Sequence, residues 1–441
     1  MAKAFHEIRD PIHVFIRLDT PERNALDCRP FQRLRNIHQL ALTYLVYPGA
    51  THKRFEHSLG VMELAGRVYD VVTNNEHLTD EVRSLLPELQ NPLDKEYWKR
   101  AVRMAALFHD VGHLPFSHAA EKELLPEGWS HEKISAEYIR SSEMSQVWRD
   151  LHLEPEHVAK LALGPKEYHE QPFTHLERLL SEIIVGDAFG VDRMDYLLRD
   201  SHHIGVAYGK FDHYRLIDTL RILPQPPSDE ADRSVEPTLG IEQGGIQSAE
   251  ALLIARYLMY SQVYFHHTRR IYDAHLKDFL KDWLPGGYFP TDISAHVSMT
   301  DNEVNSALYS AAFDPSLAGH ESARRIVCRE HFKVLWERNP IDIAINTEAG
   351  KAIYDAAIVK FGADHIRRDE YSQRGGAPDF PVKMRDDNIV SSLSLSMTLQ
   401  TLPVVSVDYV FVSSDILDDA MRWLASNRER IIQIGEETDN D

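Results

Sequence analysis

From Phe31 to about Leu220 the apolar positions recur at helical spacing. Leu59, Met62, Gly66 and Tyr69 lie close to one helical face, and Val61, Leu64, Val68 and Val72 widen it. Val102, Ala105, Ala106 and His109 follow i, i+3, i+4, i+7 on a second face, which Gly112 and Pro115 then break. Leu176, Leu179, Leu180 and Ile183 mark a further helix. The stretch Pro224 to Pro237, PQPPSDEADRSVEP, is acidic and proline-rich and reads as an exposed loop. Alternating residues on either side, in LIDTLRIL and PTLGIEQ, predict a hairpin, and a long helix is expected from about Gln247 to Trp283.

After about Ser322 the pattern is mixed. Ile341, Ile343 and Ile345 alternate with Asp342, Ala344 and Asn346, as in a strand. Ala349 to Phe361 reads as a helix, Leu402 to Val412 as a strand, and Ile416 to Asn427 as a helix. The fold class expected is mainly α: a helical core with a short β-hairpin and a smaller C-terminal α+β unit. The expected division is an N-terminal segment, 1–50, packing on a core, 51–285, followed by the C-terminal unit, 286–441.

The chain has 441 residues, enough for two or three units, and no apolar run near the ~18 residues of a membrane span. The opening residues, MAKAFHEIRD, lack a signal peptide's apolar stretch, so a cytoplasmic protein is expected. Cys28 and Cys328 stand far apart and outside any Cys-x-x-Cys pair, which argues against a disulfide framework or a cysteine zinc site. A net charge of -20 excludes a surface that tracks nucleic acid throughout, so nucleic acid is not indicated as a partner. It leaves room for a local basic pocket. There are 24 histidines, and only their positions can give them meaning.

The segment His109-Asp110-Val111-Gly112-His113-Leu114-Pro115-Phe116-Ser117-His118 carries the chemistry. A lone His-Asp pair usually caps a helix. Here His109 continues an apolar face and therefore points inward, with Asp110 at the helix end. A buried imidazole beside a buried carboxylate is costly unless something pairs with both, and a divalent cation would do so. Upstream, Arg54-Phe55-Glu56-His57-Ser58-Leu59-Gly60 places a histidine in the first turn of a helix. Downstream, Val191-Asp192-Arg193-Met194-Asp195-Tyr196 places acids at the start of another. Imidazole with carboxylate suits Mn, Mg, Fe, Zn or Ni, and open coordination positions suit hydrolysis.

The order His…His-Asp…Asp resembles the signature of the HD phosphohydrolase superfamily. The strings FQRLRNIHQL, YPGATHKRFEHSLGV, HDVGHLPFSH and VDRMDYLLRDSHHIGV are similar to its deoxynucleoside triphosphate triphosphohydrolase branch, over roughly residues 5–280. That branch includes bacterial dNTPases and a vertebrate SAM-and-HD-domain enzyme. The resemblance implies that His57, His109, Asp110 and Asp192 hold the metal. It implies that Arg54 contacts a phosphate near the attacking water, and that His113 and His118 lie in the phosphate pocket, one of them a proton donor. Glu121 would orient His118, and His131 would face the same pocket. Arg193 would bind phosphate, Tyr196 would bound the sugar and Asp200 would hold its 3′-hydroxyl. Gln39 and Leu40 would read the sugar edge, and Tyr272 would close the pocket. Tyr264 stands where the vertebrate enzyme has an arginine.

The implied reaction is metal-dependent hydrolysis of a dNTP to the nucleoside and tripolyphosphate, by a homo-oligomer, dimer or tetramer. Asp27, Gln32 and Arg35 recur at the spacing of a guanine-nucleotide activator site, which would take GTP or a dNTP; the plain reading is a structural helix. Two alternatives stand beside the dNTPase reading: another HD activity, as nucleotidase or phosphodiesterase, and a non-catalytic nucleotide-sensing oligomer. Plain packing roles are expected for His6 and His13 at the N-terminal strand, for His202 and His203 as caps, and for His266 and His267. Tyr196 and Tyr272 fit a core as well as a pocket.

Overall fold

The computed structural model describes residues 5–116, 121–225, 236–372 and 376–433. The chain divides into two units. The first comprises Met1–Met259, Phe289–Asn302 and Gly376–Leu402; the second comprises Tyr260–Tyr288, Glu303–Gly375 and Pro403–Asp441. Among the described residues the fold is mainly helical, with three small sheets.

In the first unit, strands β1 (Phe5–Asp10) and β2 (Val14–Asp19) form an antiparallel hairpin. Its turn is built by Asp10, whose Oδ1 accepts the N–H groups of Ile12 and His13, both at 2.8 Å. This is the local competition for backbone donors that places Asp in turns. Helix α1 (Arg54–Val72) starts where the Lys53 N–H donates to Glu56 Oε1 at 2.9 Å. Its expected face is buried: Leu59, Met62 and Tyr69 are within 2% of complete burial. Helix α2 (Pro92–Phe108) has Asn91 as cap and a proline in its first turn. The two helices pass closely at Gly66, where a Cβ would stand 2.9 Å from Arg103.

Helices α3 (His131–Arg140), α4 (Pro155–Glu167) and α5 (His175–Val185) complete the wall, and a Thr174–Glu177 capping box starts α5. Helix α6 (Val191–Ile204) ends at Gly205 with φ +79°. The expected hairpin is present: β3 (Leu220–Gln225) pairs antiparallel with β4 (Glu236–Glu242). Residues 226–235 of the expected proline-rich loop lie outside the described residues. Strands Pro381–Lys383 and Ile389–Ser391 extend the hairpin into a four-stranded sheet, the first of them parallel to β4. That pairing places 376–402 in the first unit, apart from the rest of the C-terminal unit expected at 286–441. The N-terminal residues 1–50 are likewise part of the first unit.

The long helix expected from Gln247 to Trp283 is two helices, α7 (Ile246–Met259) and His267–Trp283. Between them the turn at Tyr260–Tyr264 widens, and the Phe265 N–H reaches back five residues to the Tyr260 carbonyl at 3.0 Å. His266 caps the second helix, its Nδ1 accepting from the Thr268 N–H at 3.2 Å.

In the second unit, Ser406–Val412 is the middle strand of three, antiparallel to both Lys333–Glu337 and Ile366–Ser372. Helices Ala349–Phe361 and Leu417–Gln433 pack there around Ile353, Ala357, Val410, Val412 and Leu424. The strand expected at Ile341–Ile345 is instead the helix Pro340–Ile345. Asp342 is the buried member, receiving Trp336 Nε1–H at 2.7 Å, while Ile341 is 72% exposed. A period of two does not divide a helix into faces: Asp342 is buried and Ile343 half-buried against the core, while Ile341, Ala344 and Ile345 are exposed. No helix among the described residues is long and apolar enough to cross a membrane.

Candidate metal centre

Helix α1 brings His57 in its first turn, α2 delivers His109 at its C-terminal cap, and α6 brings Asp192 in its first turn. One ligand atom from each lies within 4.8 Å of the others. His57 Nε2 stands 3.0 Å from Asp192 Oδ1, and His109 Nε2 stands 3.5 Å from the same oxygen. Asp110 borders this group, with Oδ1 3.3 Å from His109 Nε2 and Oδ2 3.8 Å from His57 Nε2. The two imidazoles and Asp110 are buried, whereas the Asp192 side chain is 34% exposed and opens the group to one side.

The residues fit a divalent cation. His109 Nδ1 donates to the Ala106 carbonyl at 2.8 Å, so Nε2 keeps a lone pair, and that atom is buried without a hydrogen-bond partner. His57 Nδ1 donates to Asp195 Oδ2 at 2.9 Å, which leaves its Nε2 facing the same spot. Two imidazole nitrogens and two carboxylates therefore converge, a borderline-hard donor set for an ion that would displace the proton on His57 Nε2. Burial opposes charge on His57, but its hydrogen bonds to Asp192 and Asp195 outweigh this and push its pKa up to about 10. Burial opposes ionisation of Asp192 too, yet His109 and His57 hold its carboxyl well below the usual carboxylate range.

A second cluster adjoins the first through Asp110. Arg54 donates to Asp110 Oδ2, and His113 Nε2 lies 3.2 Å from Asp110 Oδ1. The rings of His113 and His131 stack at 3.9 Å and 20°. Glu121 Oε1 accepts from His131 Nδ1 at 2.7 Å and from its N–H at 2.6 Å. Burial, then Arg54 and His131, hold His113 well below the usual histidine range. For His131 the Glu121 hydrogen bond outweighs burial and raises it. Beside both clusters lies a cavity of about 560 Å³. His109, Asp110, His131 and Asp192 stand on its wall with Glu182, Phe189 and Phe380.

Residues 54–200 match the HD domain, and residues 211–347 match the HD associated region. The bovine protein named deoxynucleoside triphosphate triphosphohydrolase SAMHD1 is 30% identical over 466 residues, 97% of this chain and 71% of that protein. The chain belongs to the HD-domain family. It is also similar to the uncharacterized protein MJ1154 of Methanocaldococcus jannaschii, 39% identical over 61% of this chain. A solved hypothetical protein from Aquifex aeolicus superimposes with a TM-score of 0.77 at 32% identity, covering 95% of this chain and 100% of that one. The chain spans 48% of the length of MJ1154 and 59% of a second curated relative, YwfO of Bacillus subtilis. HD domains are phosphohydrolase domains that bind divalent metal ions, and this one carries His/Asp groups able to hold such an ion.

The remaining candidate residues fall in several places. His118 lies outside the described residues. Gln39 and Asp200 are buried and joined through His52: the Gln39 N–H donates to the His52 carbonyl at 3.0 Å, and His52 Nε2 pairs with Asp200 Oδ1 at 2.7 Å. Leu40 is buried beside Gln39. Tyr196 is half-buried one turn after Asp192 on α6. Arg193 donates to the carbonyls of Gly186, at 3.1 Å, and Asp187. Tyr272 belongs to the second unit, where its ring is fully buried 4.6 Å from that of His331. Asp27 pairs with Arg23 at 3.4 Å, and Arg35 donates to Gln32 at 2.8 Å while lying 3.5 Å over the Phe55 ring.

Sequence reading gave no role to Asp195, His52 or Glu132. Asp195 could have been suspected from its place three residues after Asp192, nearly one turn along the same helix. His13 and His203, expected to pack or cap, have polar surroundings: His13 bonds Asp195, and His203 stacks on His52 at 4.4 Å.

Proposed function

We propose that this chain hydrolyses deoxynucleoside triphosphates to deoxynucleoside and tripolyphosphate, with a divalent ion held by His57, His109, Asp110 and Asp192. The observation that carries the reading is the convergence of two buried imidazole nitrogens with two carboxylates, adjoining Arg54, His113 and His131 beside a cavity. When bound, the ion would supply a water of lowered pKa and neutralise phosphate charge. Arg54 would hold a phosphate oxygen of the same group. His113 and His118 would lie in the phosphate pocket, one of them giving a proton to the leaving oxygen, and His131, its ring fixed by Glu121, would face the same pocket. Arg193 would bind phosphate, and Tyr196 would bound the sugar. Asp200, oriented by His52, would accept from a 3′-hydroxyl, with Gln39 alongside and Leu40 crowding a 2′-hydroxyl. The name shared by the SAMHD1 relatives supports the substrate class. Asp27, Gln32 and Arg35 would form an activator site for GTP or a dNTP in a homo-oligomer.

The test is product identification. Metal-loaded protein is incubated with each dNTP, NTP and dideoxy-NTP, with and without GTP, and the products are separated by ion exchange. Tripolyphosphate from dNTPs, with slower turnover of ribo- and dideoxynucleotides, is the expected result. Losing the 3′-hydroxyl would take one hydrogen-bond partner from the buried Asp200, at a cost of ~1–3 kcal/mol. Orthophosphate or a linear nucleotide as product would replace this reading with another HD activity. Bound metal without any turnover would replace it with a nucleotide-sensing role.

A further inference from the structure

His57 and His109 are held in different ways. His109 gives its outer N–H to a backbone carbonyl of its own helix. His57 gives its outer N–H to Asp195, a fully buried carboxylate. Carboxylate partners of this kind fix the ring orientation and tautomer of a metal-binding histidine and raise its basicity. Asp195 is itself held on every side. It accepts from His57 Nδ1 at 2.9 Å, His13 Nε2 at 2.6 Å, Arg199 Nε at 2.8 Å and Arg199 Nη2 at 2.9 Å. A carboxylate offers about four lone-pair positions, so its capacity is filled.

The network continues outward. Arg199 Nη1 donates to Asp10 Oδ2 at 2.9 Å. The other oxygen of Asp10 makes the β1–β2 turn, and that turn aims His13 inward. Space for the arrangement is left by Gly60 on α1: a Cβ there would stand 1.9 Å from Asp195 Oδ1 and 2.4 Å from Arg199 Nη2. Three separate parts of the chain, the hairpin turn, α1 and α6, thus meet on one carboxylate. Arg199 alone matches the charge of Asp195 and fills two of its acceptor positions. His13 and His57 add two more donors, and the second of them points at the metal group.

We infer that Asp195 is the positioning residue for His57, with Arg199, His13 and Asp10 behind it, so that the N-terminal hairpin is a working part of the metal centre. This rests on His57 being a metal ligand. Removing an outer partner of a metal-binding histidine lowers metal affinity by about 10–100-fold. A merely stabilising network would instead lower the unfolding midpoint of the metal-free protein and leave the affinity of folded molecules unchanged.

The experiment uses the full chain with Mn²⁺ alone, and with Zn²⁺ as a second probe, titrated against a competing chelator. Circular dichroism confirms that each sample is folded. Asp195→Asn is expected to bind about 10–100-fold more weakly than wild type. His13→Leu should weaken binding several-fold, and His13→Gln, which keeps an N–H for Asp195, should restore most of it. Should Asp195→Asn fail to fold, the two His13 variants decide. Wild-type affinity in folded Asp195→Asn, or in His13→Leu where only that variant folds, overturns the inference while leaving the metal centre intact. Wild-type protein that takes up neither ion overturns the metal-centre reading itself, and the inference with it.

Discussion

At the scale of single residues, the backbone of Val14 is the clearest departure from what its side chain prefers. It opens β2 with φ +67°, a region where a β-branched residue is a genuine outlier. The left-handed conformation costs an L-residue about 1–2 kcal/mol. Its side chain is 50% exposed, so truncation forfeits little burial. Val14→Gly removes the strain and adds unfolded-chain entropy of about 0.5–1 kcal/mol in the opposite direction. The net expected change is a small stabilisation, a fraction of a kcal/mol up to about 1. Chemical denaturation checks it, and a lower midpoint would show that the turn tolerates Val14 without strain. Residue identity made the candidate ligands His57, His109 and Asp110 readable, because they stand in the short strings EHS and HD. It could not reveal that His57 bonds Asp195 across 138 positions, or that His52 bonds Asp200 across 148. A polar partner is chosen by tertiary packing, which leaves no local spacing to read.

At the scale of elements, periodicity served where one face is apolar. The faces of α1, α2 and α5 lie where their hydrophobic positions put them. It failed where an alternation of period two falls in a short helix, as at Pro340–Ile345, and where a helical pattern continues through a break, as at Tyr260–Tyr264. The junction of α5 with β4 shows another interaction that patterning cannot show. Glu182 of α5 accepts from the Leu239 N–H at 3.1 Å and from Thr238 Oγ1 at 2.9 Å. Burial nevertheless raises its pKa above the ordinary 4.5, outweighing both hydrogen bonds. A carboxyl raised on folding binds its proton more tightly in the native state. Its contribution is therefore complete below the unfolded value and is lost as pH climbs through the folded one. Glu182→Gln keeps an acceptor for both donors and carries no charge. The variant should match wild type near pH 4 and exceed it at pH 8, in urea midpoints measured at each pH. A variant less stable than wild type at pH 8 would mean that the ionised carboxylate is the favoured native form.

At the scale of the whole molecule, the sequence showed a helical core and a smaller α+β unit but not where the chain passes between them. Segment 376–402 returns to the first unit by pairing Pro381–Lys383 with β4, a contact between distant residues that no composition shift announces. Every candidate metal ligand nevertheless lies in the first unit. An ion bound there stabilises the native state by RT ln(1 + [L]/Kd), about 2.7 kcal/mol at a hundredfold excess over Kd. Wild-type protein should therefore unfold at a higher temperature with Mn²⁺ than with EDTA. His109→Gln loses the buried lone pair at Nε2, so its two curves should superimpose and its metal content should fall at least tenfold. The comparison also separates the two clusters. Glu121, His131 and Glu132 form another group with ligand spacing, and none of them is altered by this substitution. A Mn²⁺ shift that persists undiminished in His109→Gln would place the stabilising ion outside the His57–His109–Asp192 group. That outcome would remove the physical basis for assigning catalysis to it.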